Sequence, residues 1–332
     1  MPGSMPMEPE YRFCKSADGT EIGYVKIGQG PPLLCVYPWA GEFDVAWAFP
    51  GGRAWILALA QHHTYIACDR RGTGVSQRDP LEFTLEADIA DLEAVVEAEG
   101  LERFDLLSGY EATSVAVSYT VAHSDQVAKL VLFGSYARGA DFRNPEAVKA
   151  LADLAQGPGW GIARRSIADV LMPSGPADVV RTWVQQAKAT SSPEVFASYL
   201  DRESTLDISD LVPKITAPCL VLHRKDSRLV PAAAVRQFAA RLSDAKLVLV
   251  SGDCAFPYVD PEQLVRPILE FLGTGAESAE RLTRVTSAPN SRRNQPFSSG
   301  RSSRSFGVSG SRQATASSTE FGASTPGSIW VC

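Results

Sequence analysis

The sequence predicts an α/β protein built on a mostly parallel β-sheet with helices on both faces. Short, continuous apolar runs, which are typical of strands covered on both sides, alternate along the chain with segments of helical apolar spacing. Glycine-rich loops follow several of these runs. Between residues 140 and 211 the pattern is helical only, which predicts a helical cap inserted into the alternating order.

The chain begins with a hairpin and a first buried strand. Alternating apolar residues between 11 and 26 predict two strands that turn at Asp18-Gly19. Residues 33–36 form the continuous apolar run of a buried strand, and a loop at 37–41 follows it.

A helix, a strand and a second helix come next. We expect a helix over 52–61, a buried strand over 64–68 and a glycine-rich turn over 69–76. Apolar residues on one face predict a helix over 83–99, for which Thr84 is a suitable N-cap.

The stretch 104–123 reads as a strand end, a sharp turn and a helix. Small residues, Ser108 and Ala112, flank the turn, and its apex falls on Tyr110. This spacing matches a nucleophile elbow, in which crowding demands small residues on either side of an exposed reactive side chain. A phenol with a pKa of about 10 is a poor nucleophile at neutral pH unless a base activates it.

The second half resumes the alternation after the cap. Residues 127–133 form a buried strand before the cap. After it we expect strands over 219–222 and 246–250 and helices over 232–242 and 261–272. Ligands of such sheets lie beyond the carboxyl ends of the strands, and here that edge lies beneath the cap.

Composition limits the class of function. A net charge of −6 argues against a general nucleic-acid binder. No apolar run is long enough to span a membrane, and the N-terminus does not resemble a secretory signal. The six cysteines are scattered without metal or redox spacing, so we expect a cytoplasmic protein with no metal and no cofactor. Beyond residue 273, Ser- and Arg-rich sequence predicts a disordered tail.

With these elements in place, the chain resembles the α/β-hydrolases from about residue 11 to 272, and in particular the bacterial hydrolase-like domains that precede class III nucleotide cyclase domains. Six landmarks carry the resemblance: 37–39, 69–76, the elbow, 134–139, 223–231 and 252–257. The resemblance implies a hydrolase core over 11–139 and 212–273, a cap over 140–211, a flexible segment over 1–10 and a disordered tail over 274–332. No cyclase-like metal-binding aspartates follow, so nucleotide cyclisation is not expected.

The resemblance also locates the catalytic positions, and all three are substituted. The nucleophile position holds Tyr110, the acid position Ser227 and the histidine position Ala255. Asp226, one residue from the acid position, is an alternative acid. Since the triad histidine follows the acid along the chain in this fold, a base is expected after residue 227, and no histidine occurs there.

The protein has four histidines that could replace the missing base. We expect His62 and His63 to be solvated, and His123 to lie at the C-terminal end of the elbow helix, where it favours the helix dipole. His223 ends a strand near the acid loop, and a packed histidine is its usual interpretation.

The resemblance implies an oxyanion hole made from the Glu111 amide and an amide near Trp39. Trp39, Tyr110, Glu111 and Phe256 are therefore the expected ligand-binding residues. For the Glu111 side chain we expect a solvated residue of the first helical turn.

Three functions are consistent with these residues. The first is a catalytically silent hydrolase-fold protein that binds or senses a small, mostly apolar ligand under the cap. The second is a hydrolase of esters or related small molecules that works through an unorthodox set such as Tyr110, Asp226 and His223. The third is a protein-interaction scaffold.

Overall fold

A computed structural model of the chain describes residues 7–39, 42–79, 82–156, 158–257 and 259–274. Within this part, eight strands form one sheet in the order β1-β2-β4-β3-β5-β6-β7-β8. The strands are β1 (Glu10–Lys15), β2 (Glu21–Ile27), β3 (Pro32–Val36), β4 (Thr64–Cys68), β5 (Phe104–Gly109), β6 (Val127–Phe133), β7 (Cys219–Arg224) and β8 (Ala245–Val250). Strand β2 pairs antiparallel with β1 and β4, and all other pairs are parallel. The predicted fold class is confirmed.

Helices flank this sheet and cross over one edge of it. In the described residues they are α1 (Phe43–Ala48), α2 (Pro50–Ala60), α3 (Leu85–Ala98), α4 (Thr113–Ala122), α5 (Pro145–Ala155), α6 (Trp160–Leu171), α7 (Ala177–Thr190), α8 (Pro193–Thr205), α9 (Ala232–Ala239) and α10 (Glu262–Leu272). Helices α5 to α8 lie between β6 and β7, in the segment predicted as the cap. Helix α1 was not predicted, because its six residues are too few to display a helical period.

Local signals place the element ends close to their predicted positions. The Thr84 hydroxyl accepts a hydrogen bond from the Ala87 amide at 3.1 Å, which is the expected cap of α3. Gly19 adopts a positive φ of +85° in the turn between β1 and β2. The central strands β3 to β7 are buried over most of their length, as their apolar runs predict.

The parallel pairing decides where a site can form. Strands β3, β4, β5, β6 and β7 run in one direction, so the loops that follow them meet at a single edge of the sheet. The predicted flexible segment 1–10 and disordered tail 274–332 lie largely outside the described residues, which begin at residue 7 and end at residue 274.

Candidate functional site

The turn after β5 has the geometry of a nucleophile elbow. Tyr110 follows the strand directly with a φ of +49°, and a short 3-10 turn, Tyr110–Ala112, leads into α4. Such a left-handed conformation is uncommon outside glycine and marks a strained turn. Ser108 and Ala112 are both buried, so larger residues would not fit there. The predicted strand, turn and helix are therefore present, with Tyr110 at the apex.

The elbow pattern predicts an exposed side chain at its apex, but Tyr110 is buried, with only 6% of its surface accessible. Its ring packs edge-to-face on Phe133 at 5.5 Å between centroids. It also packs closely against Gly134, where a Cβ atom would stand 2.6 Å from the nearest ring carbon. Burial raises the pKa of the phenol well above its usual value, and the Cys254 thiol adds to the rise while Ser227 and Arg224 oppose it.

The phenol hydroxyl has no partner at hydrogen-bonding geometry within the described residues, although the Ser227 hydroxyl is near enough to lower its pKa. The groups that influence Tyr110 are therefore a thiol, a hydroxyl and a guanidinium. None of them can accept the phenol proton as an imidazole would.

Ser227 and Ala255, which the resemblance places at the acid and histidine positions, lie near Tyr110. Ser227 is 1% exposed, and Ala255 is buried, with its amide donating to the Leu171 carbonyl at 2.7 Å. Asp226 is exposed, so the change of one residue along this loop turns its side chain away from the buried Ser227. The structure does not support Asp226 as a replacement acid.

No histidine is among the groups found to influence Tyr110 in the described residues. His223 is fully buried, and its ring nitrogens have no hydrogen-bond partner in the described part of the chain. Burial lowers its pKa to about 4, with the charge of Arg236 adding to the effect, so it is neutral at pH 7. The His123 ring contacts Glu93 at 2.9 Å. The packed interpretation of His223 agrees with its burial.

The expectation that His63 is solvated is wrong. Only 1% of it is exposed, and its Nε2 atom lies 2.8 Å from the Thr274 hydroxyl oxygen. Burial lowers the pKa of this imidazole. His63 is buried by a tertiary contact, because the end of α10 packs against the loop that carries His63 although the two are far apart in the sequence.

The expectation that Glu111 is a solvated first-turn residue is also wrong. Its side chain is 5% exposed, and its Oε1 atom accepts a hydrogen bond from the Trp39 amide at 2.6 Å. The Trp39 amide, which lies in the loop where the resemblance expects one oxyanion-hole donor, thus binds a carboxyl group of the protein itself. Burial raises the pKa of Glu111 to about 8, against the opposing influence of Arg70.

Glu111 belongs to a set of buried ionisable residues that we call the buried charge cluster: Arg70, Asp88, Glu111, Arg202 and Glu203. Asp88 contacts both guanidinium groups, and Arg202 Nη2 lies 3.5 Å from Glu203 Oε1. Arg70 Nη1 lies 3.6 Å from Glu111 Oε1, beyond hydrogen-bonding distance. Cap helix α8 supplies two members, so the cluster joins the cap to the sheet.

Two small apolar cavities meet at Tyr110. The cap cavity, of about 40 Å³, lies under the cap and includes Trp39, Glu111, Phe142, Leu171 and Glu203 in its lining. The sheet cavity, of about 50 Å³, lies on the side of β3 and β5. The two cavities share a wall made of Pro38, Tyr110, Ala255 and Phe256. The four expected ligand-binding residues, Trp39, Tyr110, Glu111 and Phe256, all line the cap cavity.

Two further findings concern only the described residues. No group of three or more His, Cys, Asp or Glu side chains among them could hold a metal ion. None of their helices is both long and apolar enough to cross a bilayer. The sequence prediction of the site missed the buried charge cluster, since nothing in the local pattern around Glu111, Arg202 or Glu203 signals burial.

Comparison with known proteins gives the family. The family model of the α/β hydrolase fold matches residues 31–261. A non-heme haloperoxidase of Rhodococcus erythropolis is 28% identical over 262 residues, which cover 72% of this chain and 91% of that protein. A 2-hydroxy-6-oxo-2,4-heptadienoate hydrolase of Pseudomonas putida is 26% identical over 234 residues, 65% of this chain and 79% of that protein.

The esterase RhEst1 of Rhodococcus sp. ECU1013 is a similar solved structure, with a TM-score of 0.69 and 25% identity. The match covers 79% of this chain and 98% of that one. The region matched by the family model contains β3 to β8, the turn at Tyr110 and the helices between β6 and β7. This chain therefore belongs to the α/β hydrolase fold family.

Proposed function

We propose that this chain is a pseudo-hydrolase that binds a small, mostly apolar ligand in the cap cavity and does not cleave esters. The observation that carries the proposal is the state of Tyr110. A buried phenol stands at the elbow apex, surrounded by Ser227, Cys254 and Arg224. An acyl-transfer mechanism requires a nucleophile activated by an adjacent base. Among the described residues, no imidazole is found to influence this phenol.

The contacts of the Trp39 amide also support the pseudo-hydrolase proposal. Stabilisation of a tetrahedral intermediate requires backbone donors that point at the developing oxyanion. Glu111 Oε1 already accepts the hydrogen bond from that amide at 2.6 Å. A substrate carbonyl would have to displace a buried carboxyl group to reach it, so both the nucleophile and the electrostatic part of the family mechanism are impaired.

The lining of the cap cavity supports the ligand part of the proposal. Its walls are mainly Phe, Leu, Ile, Val and Trp side chains from the sheet edge and from α5, α6 and α8. A cavity of about 40 Å³ is larger than the roughly 10–15 Å³ that a single water needs. The walls favour a ligand with an apolar body, and a larger ligand requires the cap helices to move outward.

A second candidate function is hydrolysis of a carboxylic ester or a related small molecule. The names of the similar proteins favour it, since they include an esterase and a 2-hydroxy-6-oxo-2,4-heptadienoate hydrolase. In this case Tyr110 would have to take part directly, with His223, which lies at the end of β7 near the loop of Asp226 and Ser227, as the candidate base.

An assay with short-chain aryl esters separates the two candidates. The wild type is compared with the triple reversion Tyr110→Ser, Ser227→Asp, Ala255→His, and with a quadruple variant that adds Glu111→Ala. We expect no turnover above buffer in the wild type, weak turnover in the triple reversion and a further gain of about 10²–10³ in the quadruple variant, because it frees the Trp39 amide.

The control for the second candidate is Tyr110→Phe, which removes only the hydroxyl. Wild-type turnover that disappears in Tyr110→Phe would establish an unorthodox hydrolase and refute the pseudo-hydrolase proposal. An interaction-scaffold role, cytoplasmic location and a relation to domains that precede nucleotide cyclases stay predictions.

A further inference from the structure

The buried charge cluster is unbalanced if every member is ionised. It holds two guanidinium groups and three carboxyl groups, all largely withdrawn from water. An uncompensated buried charge costs several kcal/mol, whereas a neutral carboxylic acid does not carry that cost. The composition of the cluster therefore favours a proton on one of its carboxyl groups.

The contacts indicate which carboxyl group holds that proton. Asp88 contacts both arginines, and these charges keep its pKa low despite burial. Glu203 faces Arg202 and accepts a hydrogen bond from the Tyr136 hydroxyl at 2.6 Å. Glu111 has the weakest pairing, since Arg70 Nη1 stays 3.6 Å away.

The pKa directions agree with this assignment. Burial raises the pKa of Glu203 and also that of Glu111, which reaches about 8. The charged groups that face Glu111 are Arg70, from the loop after β4, and Arg202 and Glu203, from α8. At neutral pH Glu111 is thus an uncharged acid that lines an apolar cavity.

The hydrogen bond to the Trp39 amide then orients the acid. Because Glu111 Oε1 acts as the acceptor, the proton lies on Oε2. No hydrogen bond to Oε2 occurs among the described residues. A neutral hydroxyl donor beside apolar walls suits a ligand that presents one hydrogen-bond acceptor and carries no charge.

We propose that Glu111 is the residue that recognises the ligand, donating a hydrogen bond from its protonated carboxyl group to the carbonyl oxygen of a small, uncharged ketone, ester or amide in the cap cavity. This inference rests on the proposed ligand-binding function and adds the chemical class of the ligand. It assigns the side chain of Glu111, rather than a backbone amide, as the donor to the carbonyl.

Three probes of similar shape test the proposal on the full chain. Cyclopentanone carries the carbonyl acceptor, methylenecyclopentane lacks it, and cyclopentylamine is a cation at neutral pH. Binding is measured by NMR titration of the protein labelled with 15N-tryptophan, in which the Trp39 amide reports on the site. At pH 6.5 we expect cyclopentanone to bind about three- to tenfold more tightly than methylenecyclopentane, the worth of one net hydrogen bond.

The pH dependence and two variants identify the donor. Above pH 8 the acid ionises, so the ketone advantage should be lost in the wild type by about pH 9.5. Glu111→Gln keeps an acceptor for Trp39 and an N–H donor for the ligand but cannot ionise, so the ketone advantage should persist at both pH values. Glu111→Leu should bind the ketone and the hydrocarbon equally.

The other outcomes separate the failures. If the amine binds the wild type more tightly than the ketone, Glu111 is ionised and the assigned ligand class is overturned. If the ketone advantage survives in Glu111→Leu, another donor is responsible and the assignment is overturned. If ketone and hydrocarbon bind equally to the wild type, the cavity binds ligands but Glu111 does not select them. If no probe binds, the ligand-binding function itself fails.

Discussion

The shared wall between the two cavities predicts an energetic coupling between Tyr110 and Ala255. Both residues line both cavities, so the ring at one position and the small side chain at the other divide a single space. An imidazole at position 255 and a phenol at position 110 would compete for that space. The substitutions Tyr110→Ser, which empties part of that space, and Ala255→His, which fills it, are therefore expected to compensate for each other.

The magnitudes follow from burial. Tyr110→Ser removes the ring of a residue that is only 6% exposed and merges cavities of about 40 and 50 Å³, which should lower the free energy of unfolding by about 3–5 kcal/mol. Ala255→His alone overpacks the wall and should cost about 1–3 kcal/mol. In the double variant the imidazole refills part of the vacated volume, so the loss should be smaller than the sum by about 0.5–3 kcal/mol.

Urea denaturation of the wild type, both single variants and the double variant measures this coupling. The control pairs Ala255→His with Phe238→Ser, because Phe238 is buried but lines neither cavity. That pair should be additive within about 0.5 kcal/mol. Additivity of the Tyr110 and Ala255 variants within the same margin would refute the idea that the two residues share one space.

Three further predictions concern pH and packing. The folded state holds the Glu111 pKa at about 8, above its ordinary value, so the contribution of the neutral acid to stability is complete at low pH and is lost as the pH rises from about 5 to 8. Glu111→Gln should therefore flatten the urea-derived profile of stability against pH in this range, by up to about 1.4 kcal/mol per pH unit. An unchanged slope would contradict the burial of a neutral acid. The pKa of His223 is lowered to about 4, so its contribution to stability is complete above about pH 6.5 and falls as the pH drops towards 4. His223→Leu should remove part of the stability that the protein loses at acid pH. If the variant loses as much stability as the wild type there, His223 is not buried in its neutral form. Gly134→Ala should lower the free energy of unfolding, measured by heat or urea, by about 1–3 kcal/mol. The added Cβ would stand 2.6 Å from the Tyr110 ring, on a residue with a positive φ of +65°. An unchanged free energy of unfolding would mean that the ring is not held against Gly134.

Much of the fold follows from local sequence pattern. The apolar run at 127–133 predicts β6 with both ends correct, and Thr84 predicts the cap of α3. Small residues around Tyr110 predict the strand, turn and helix at the elbow. These signals are local because strand and helix periods and capping bonds involve residues only a few positions apart.

The candidate site depends on contacts that no local pattern encodes. Glu111 looks like a solvated residue of a first helical turn, yet it is buried because α8 covers it and the Trp39 amide, 72 residues away, bonds to it. Asp226 and Ser227 are neighbours in the chain, and only the packing of the loop after β7 turns the first to solvent and the second inward. The sequence by itself determined the sheet, the elbow and the identity of the residue at its apex. Tertiary packing decided which of the polar groups at the site are exposed to solvent and which are buried. Desolvation depends on the residues that pack against a side chain in the folded protein and not on its neighbours along the chain.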